Sequence, residues 1–164
     1  MIRQKQDQYK STGVWDMFAL PGFQEFYNGL VNLDHGDKRV HYSALFVNKT
    51  IIATHVGLID NDTFYYIMPS YKGGDWKKYS SGRLLLENLL EWAIENHLEF
   101  FDFTVGDESY KKIWCDMETK LYETLRSFTF KGRIYILIQY FSRYMKKIPW
   151  FVKIYRAIKN WLKL

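Results

Sequence analysis

The spacing of apolar residues predicts two helices in the first hundred positions. In residues 21–34 they recur every three or four positions, as on one face of a helix; they are Phe23, Phe26, Tyr27, Leu30 and Val31. Residues 83–97 carry a broader apolar face with the glutamates off it, and Ser80 or Ser81 is the expected N-cap. Residues 1–13 are polar, and we expect them to be weakly structured up to Gly13.

Short segments rich in β-branched and aromatic residues predict four strands. The segments 41–47, 51–58 and 63–68 are joined by tight turns at 48–50 and 60–62, which predicts an antiparallel meander that ends at Pro69. Residues 70–82 are expected to form a loop. A further strand at 100–105 follows the long helix, and this β-α-β crossover places it parallel to the third strand. The predicted fold class is therefore α+β, with a mixed, mostly antiparallel sheet flanked by helices.

Less regular patterns occupy the rest of the chain. A turn is expected at 35–37, a short helix at 108–115 and one or two strands at 120–130. From about residue 134 the apolar residues again follow a helical period to the end, interrupted at Pro149, which suits the first residue of a second helix. We predict a domain at 1–130 and a basic amphipathic helical tail at 131–164.

Charge distinguishes that tail from the body. The net charge is +5, but ten of the 23 Lys/Arg lie between Arg126 and Leu164, and no acidic residue follows Glu123. A basic helix with Trp and Phe on its other side suits the surface of an anionic membrane. There are two alternatives. Either the tail is a solvated helix face, or residues 134–148 pack on protein and only residues 150–164 meet lipid. Nucleic acid is less favoured because much apolar surface would stay unburied.

Composition excludes several classes of protein. The single cysteine, Cys115, excludes an internal disulfide and a multi-cysteine zinc site. No metal-ligand spacing is visible among the histidines, so no metal is expected. No apolar run is long enough to span a bilayer, and the N-terminal residues lack the apolar core of a signal peptide. We expect a cytoplasmic protein, with the tail allowing peripheral attachment to the inner face of the membrane.

Two segments carry candidate chemistry. At residues 77–83 a basic loop with Gly82 runs into a helix N-terminus, whose free amides and positive dipole end suit a pyrophosphate. The spacing is neither that of a P-loop nor G-x-G-x-x-G, and an ordinary capped helix would look the same. In residues 101–114, Asp102 lies between aromatics within a predicted strand and is either a paired buried carboxylate or a catalytic group. Tyr110 follows on the short helix.

These two segments together resemble the CelD-like acetyltransferases of the GNAT superfamily, which are associated with bacterial cellulose and other exopolysaccharide biosynthesis. The resemblance covers roughly residues 1–126 and excludes the tail. It is carried by Tyr79-Ser80-Ser81-Gly82-Arg83-Leu84-Leu85-Leu86, Trp92-Ala93-Ile94, Phe101-Asp102-Phe103 and Gly106-Asp107-Glu108-Ser109-Tyr110-Lys111-Lys112-Ile113-Trp114.

The resemblance implies an N-acyltransferase that uses acetyl-CoA or another acyl-CoA as co-substrate. The acyl-CoA would lie between the strands at 63–68 and 100–105, and Tyr110 would protonate the leaving thiolate. Asp102 or Asp107 would deprotonate the acceptor amine of an amino sugar or cell-envelope precursor. The predicted pyrophosphate-binding residues are Lys78, Tyr79, Ser80, Ser81, Gly82 and Arg83.

Family members resemble two GNAT-like halves in one chain, and this sequence matches the second, which predicts a homo-oligomer. Two alternatives stay open. One is a FemABX-like aminoacyl transferase that uses aminoacyl-tRNA, and the other is a catalytically degenerate, membrane-associated assembly module.

Overall fold

The computed structural model describes residues 1–33 and 39–146. Within these ranges the helices and strands have the following bounds: α1 Ile2–Thr12, α2 Phe23–Leu33, β1 Val40–Val47, β2 Thr50–Asp60, β3 Thr63–Tyr71, α3 Ser81–Glu95, β4 Phe100–Asp102, α4 Lys111–Trp114 and α5 Phe130–Lys146. Short 3-10 helices span Met17–Ala19 and Gly74–Tyr79. The predicted turn at 35–37 and the predicted helix after Pro149 lie outside the described residues.

The described part of the chain forms one four-stranded sheet in the order β1-β2-β3-β4. β1 pairs with β2 and β2 with β3 in antiparallel fashion, while β3 pairs with β4 in parallel. Asn48 and Asn61 adopt positive φ angles of 54° and 49° in the two tight turns, a conformation that asparagine tolerates better than most residues. The predicted α+β fold, with its mixed sheet and flanking helices, is confirmed.

Each face of the sheet is covered by helices. On one face, Leu85, Leu86 and Leu89 of α3 pack against a buried cluster that includes Phe64 and Tyr66. On the other face, residues of α1 and α2 pack around Phe18, Val56 and Met68. The apolar face predicted for residues 83–97 is therefore the one that α3 buries on the sheet, although the helix begins two residues earlier.

Two histidines lie unpaired inside the first of these cores. His55 is 1% exposed and stacks on Tyr66, with the ring centroids 4.4 Å apart. Neither nitrogen of His55 hydrogen-bonds to any described residue, and the same holds for Nδ1 of His41 and Oγ of Ser43 on the neighbouring strand. Burial, together with a smaller effect of the nearby His41, lowers the pKa of His55 to about 3, and burial also lowers the pKa of His41. Both histidines are therefore neutral at physiological pH.

The N-terminal segment is a helix rather than the weakly structured stretch that we expected. Met1, Ile2 and Tyr9 pack on the second core cluster. Gln4 Oε1 accepts hydrogen bonds from the hydroxyls of Thr54 and Ser70 at 3.2 and 3.1 Å. Polar contacts made with the sheet hold α1 in place, and a local apolar pattern does not reveal such contacts.

β3 does not end at Pro69 as predicted but continues to Tyr71. β4 pairs with β3 only from Thr63 to Tyr65, so the following part of β3 has one edge free of a neighbouring strand. Pro69 has no N–H to donate to a neighbouring strand. The strand tolerates it here because the backbone at this position faces the free edge.

Three further predictions at the C-terminal side are corrected. β4 ends at Asp102 instead of residue 105. Thr104 takes a positive φ of 58°, which a strand does not accommodate. The helix predicted from residue 108 begins at Lys111, so that Tyr110 is its N-cap. Residues 116–127 contain neither helix nor strand in the structure, so the one or two strands predicted at 120–130 are not formed there.

The chain divides into two compact units, Met1–Cys115 and Asp116–Leu164. The sheet and α1 to α4 belong to the first unit, and α5 belongs to the second. The boundary at residue 130 between a catalytic domain and a tail stays a prediction.

Candidate functional site

A gap opens in the first unit where β3 and β4 stop pairing. The last parallel pair is Tyr65 with Asp102, and beyond it the Thr104 hydroxyl lies 3.5 Å from the carbonyl oxygen of Tyr66. β3 then continues to Tyr71 with β2 as its only neighbouring strand among the described residues. The sheet therefore presents an unpaired strand edge at the carboxyl end of its parallel pair, which is where ligands commonly bind in sheets with parallel strands.

Side chains of α1 reach part of that free edge. Lys5 Nζ donates to the carbonyl oxygen of Pro69 at 2.9 Å, and Gln8 Nε2 donates to that of Tyr71 at 2.9 Å. Burial lowers the pKa of Lys5, while the negative charge of Glu108 opposes that shift. Lys5 and Gln8 were not anticipated from the sequence, since nothing in a polar N-terminal segment indicates which strand it will meet.

A cavity of about 220 Å³ lies at the start of α3, lined by Tyr71, Lys77, Ser80, Ser81, Gly82 and Arg83. The N–H groups of Arg83 and Leu84 already donate to the carbonyl oxygen of Ser80, at 2.8 and 3.1 Å. The amides of Ser81 and Gly82 precede these first helical hydrogen bonds, so they are the donors that a helix N-terminus offers to an anion. With two cationic side chains in the lining, the cavity suits a phosphate group.

Gly82 keeps this cavity open against the end of β3. A Cβ at position 82 would lie 3.0 Å from Cδ1 of Tyr71, closer than nearly all real Cβ contacts. A side chain of any size at this position would push Tyr71 or fill the space between Tyr71 and the helix amides. The sequence indicated that Gly82 lets a ligand approach the backbone closely. The structure adds that Tyr71 is the residue that a side chain at this position would meet.

Four of the six predicted pyrophosphate-binding residues line the cavity and two do not. Ser80, Ser81, Gly82 and Arg83 are in the lining, whereas Lys78 lies over the ring of Tyr79 with Nζ 5.0 Å from its centroid. Lys77 occupies the place in the lining that we had given to Lys78.

Two of these four have side chains that are already engaged. The Ser81 hydroxyl is buried and donates to the carbonyl oxygen of Ile52, so only its amide faces a ligand. Arg83 Nε is 2.9 Å from Glu87 Oε1, and its guanidinium lies over the ring of Trp114.

Tyr110 lies beside the point where the two strands separate. Its ring is 6.2 Å from that of Phe103. Burial raises the pKa of Tyr66, the first β3 residue beyond the pairing with β4, and the nearby Tyr110 raises it further. Burial raises the pKa of Tyr110, and Glu108 raises it further. The phenol is therefore protonated at neutral pH and able to donate a proton.

Glu108 and Lys111 form a charged pair next to Tyr110. Lys111 Nζ is 2.8 Å from Glu108 Oε2 and also donates to the carbonyl oxygens of Thr104 and Val105 at 3.4 and 3.3 Å. The hydrogen bond from Lys111 holds the pKa of Glu108 below its usual range. The sequence motif contains both residues, but only the fold shows that Lys111 is nearly buried and that Lys5 approaches the same carboxylate.

The two predicted general bases are not part of this ion pair. Asp102 is exposed, and its Oδ1 accepts a hydrogen bond from the Thr104 N–H at 2.6 Å. That bond closes the turn at the end of β4, so Asp102 is not the buried carboxylate that one alternative required. Asp107 is also exposed, next in sequence to Glu108.

The part of the chain that the structure describes shows no group of three or more His, Cys, Asp or Glu placed to hold a metal ion. None of its helices is both long and apolar enough to cross a bilayer.

Comparison with known families places the chain in the acyl-transferring class. A family profile described as Acetyltransferase (GNAT) domain matches residues 1–112, and the chain belongs to this family. GNAT acetyltransferases use acetyl-CoA or another acyl-CoA. Among solved structures, a possible acetyltransferase from Clostridium difficile 630 is similar over 76% of this chain and 90% of its own, at 15% identity and a TM-score of 0.46. No curated protein matches the chain.

Proposed function

We propose that this protein is an acyl-CoA-dependent N-acyltransferase of the CelD-like kind. Its acceptor would be the amine of an amino sugar or of another cell-envelope or polysaccharide precursor. One observation carries the acyl-CoA part of this proposal. The cavity at the start of α3 and the gap beside Tyr110 lie at the two ends of the stretch of β3 that has no strand on its β4 side, from Tyr66 to Tyr71.

The length of that stretch supports the proposed donor. Tyr71 lies five residues beyond Tyr66 along the strand, which corresponds to roughly 16 Å. An extended pantetheine arm, which joins the pyrophosphate of CoA to its sulfur, has a comparable length. A pyrophosphate held by the amides of Ser81 and Gly82 would then bring the thioester to Tyr110.

The residues around the gap have distinct roles in this proposal. Tyr110, protonated at neutral pH, would give its proton to the departing thiolate sulfur as the neutral amine nitrogen bonds to the acyl carbon and the C–S bond breaks. Asp102 or Asp107 would take the proton that the amine nitrogen loses. Asp102, Asp107 and Glu108 are the carboxylates that border this end of the gap, and each is exposed. The hydrogen bond from Lys111 lowers the pKa of Glu108, and the positive charge of Lys111 compensates that of the carboxylate. Asp102 and Asp107, which are not part of this ion pair, are therefore the carboxylates that we assign to the acceptor amine.

A ligand screen by thermal unfolding separates this proposal from its rivals. CoA, acetyl-CoA, a long-chain acyl-CoA and bulk tRNA would each be added to the full chain at increasing concentration. A ligand present at a hundred times its Kd stabilises the folded state by about 2.7 kcal/mol. We expect this for the CoA compounds and not for tRNA. Stabilisation by tRNA alone would favour an aminoacyl transferase, and stabilisation by none would contradict acyl-CoA binding.

A further inference from the structure

The helix α5 carries an apolar ridge that is turned to solvent. Its residues recur at steps of four and three, which places them on one side of the helix; they are Phe130, Ile134, Leu137, Phe141 and Tyr144. Each of these side chains is exposed, from 43% for Ile134 to 77% for Phe130. A row of large apolar side chains of this kind on a water-exposed surface marks an interaction site.

The opposite side of α5 is less exposed. Ile136 and Gln139 are partly buried there, and Arg143 Nη2 forms an ion pair with Glu123 of the same unit at 2.6 Å. The large apolar side chains of the ridge are therefore left on the more exposed side of the helix. This orientation is the reverse of the one that burial of apolar surface within a single unit would favour.

The charges beside the ridge are all positive. Lys131 and Arg133 flank it on its two sides, and no Asp or Glu occurs in α5 or anywhere after Glu123. Tyr140 lies at one border between the ridge and the polar side and is exposed. Aromatic residues at such borders, with their apolar ring and polar hydroxyl, are typical of helices at a lipid–water interface.

We propose that α5 binds flat on an anionic lipid surface, with the ridge in the acyl-chain boundary and Lys131 and Arg133 at the headgroups. A lipid surface satisfies both features at once, because it takes up apolar side chains and concentrates negative charge in the same plane. A polyanion such as RNA would match the charge and leave the ridge wet. A second copy of the chain would cover the ridge but bring four like charges together.

Flotation of the full chain with vesicles tests the proposal. Vesicles of phosphatidylcholine alone are compared with vesicles of three parts phosphatidylcholine to one part phosphatidylglycerol, in about 0.1 M and about 1 M NaCl, between which the Debye length falls from about 10 to about 3 Å. We expect flotation with the anionic vesicles in low salt, and at least about tenfold weaker partitioning with neutral vesicles or in high salt. Equal binding to both vesicle types, or none to either, would overturn the proposal without any variant.

Two pairs of matched variants locate the binding. Leu137→Gln with Phe141→Gln keeps helix propensity, removes two ridge residues and should weaken partitioning at least tenfold. Its control, Ile94→Gln with Tyr122→Gln, removes two equally exposed apolar residues elsewhere and should behave as wild type. Lys131→Glu with Arg133→Glu should remove the preference for anionic vesicles, whereas Lys10→Glu with Lys49→Glu should keep it.

The same preparations test the other occupants of the ridge. Light scattering distinguishes a second copy of the chain. If wild type is a dimer, the ridge variant is a monomer and neither floats with vesicles, the ridge binds a second copy and the lipid proposal is refuted. Full binding by the ridge variant, with circular dichroism unchanged, would also refute it. Binding of wild type to RNA without flotation would have the same consequence.

Discussion

Tyr110 is the residue on which the proposed chemistry depends most. Its phenol is half-buried beside Phe103 and Glu108, and burial keeps its pKa above the usual range. At neutral pH it therefore holds a proton that a departing thiolate can accept. No other described tyrosine occupies the end of the β3–β4 gap and is also reached from solvent, since Tyr66 is buried.

The variant Tyr110→Phe removes this proton and little volume. We expect kcat for acetyl transfer to fall by about a hundredfold, with KM for the acyl-CoA unchanged, because proton donation acts on the transition state and not on donor binding. Tyr122→Phe is the control, since Tyr122 is 89% exposed and belongs to the second unit. An unchanged kcat in Tyr110→Phe would remove Tyr110 from the mechanism.

His55 gives the folded state a distinct dependence on pH. Its pKa is about 3 in the folded protein, whereas an unfolded histidine titrates near 6.5. Below pH 6.5 the unfolded chain therefore binds a proton that the folded chain rejects. The free energy of unfolding should fall as pH is lowered from about 6.5 toward 3, by at most about 1.4 kcal/mol per pH unit from this residue.

Urea unfolding between pH 7 and pH 4 measures this effect. His55→Leu should give a shallower loss of stability on acidification than wild type, because the proton-binding site is absent from both states. The exposed His97 has a φ of 58°, which asparagine tolerates, so His97→Asn should keep the wild-type slope. Identical slopes for wild type and His55→Leu would show that His55 is protonated in the folded protein.

At the scale of elements, the turns and the long helix could be predicted from the sequence, and the polar docking contacts could not. The asparagine turns at residues 48 and 61 define the meander by local chemistry alone, and the apolar face of α3 is explicit in its spacing. α1 offers no comparable signal in the sequence. None of its eleven residues is fully buried, so it has no broad apolar face of the kind that α3 shows. Its contacts come from Gln4, Lys5 and Gln8 and end on strands about fifty to seventy residues away.

The strand predicted at 100–105 forms parallel to β3 but is shorter than expected, and no strand forms at 116–127. β4 pairs with β3 only as far as Tyr65 and Asp102, and the hydrogen bond from the Thr104 N–H to Asp102 then closes a turn. The effect of Glu108 on the pKa of Lys5 was missed because the two residues come from opposite ends of the domain.

α1 should depend on Gly13, which ends it. Gly13 adopts φ 67° and ψ 16°, and its N–H donates to the carbonyl oxygen of Tyr9. A Cβ at this position would meet nothing within 4 Å, so the cost of a side chain is conformational alone. Gly13→Ala should lower the free energy of unfolding by about 1 kcal/mol, and Gly13→Asn by less. Equal stability of all three proteins in urea would show that α1 contributes nothing to the cooperative fold.

At the scale of the whole molecule, the two units divide the proposed activities. The first, Met1–Cys115, contains the sheet, the cavity at α3 and Tyr110, and the GNAT family match ends within it at residue 112. The second contains α5 with its apolar ridge and its purely basic charge. An acyltransferase unit joined to a lipid-binding helix would act on acceptors that are themselves held at a membrane. The two proposals are nevertheless independent of each other, because one is tested with CoA and the other with vesicles.

The central claim is that the start of α3 binds the pyrophosphate of acyl-CoA. A calorimetric titration of the full chain with acetyl-CoA tests it most directly, with Gly82→Val and the control Gly29→Val titrated alongside. Gly29 is also a helical glycine, but a Cβ there meets nothing within 4 Å, whereas at Gly82 it meets Tyr71. We expect one acetyl-CoA per wild-type chain, the same for Gly29→Val, and a Kd at least about tenfold weaker, or ~1.4 kcal/mol, for Gly82→Val. Normal binding by a folded Gly82→Val, or no binding by wild type, would contradict the account.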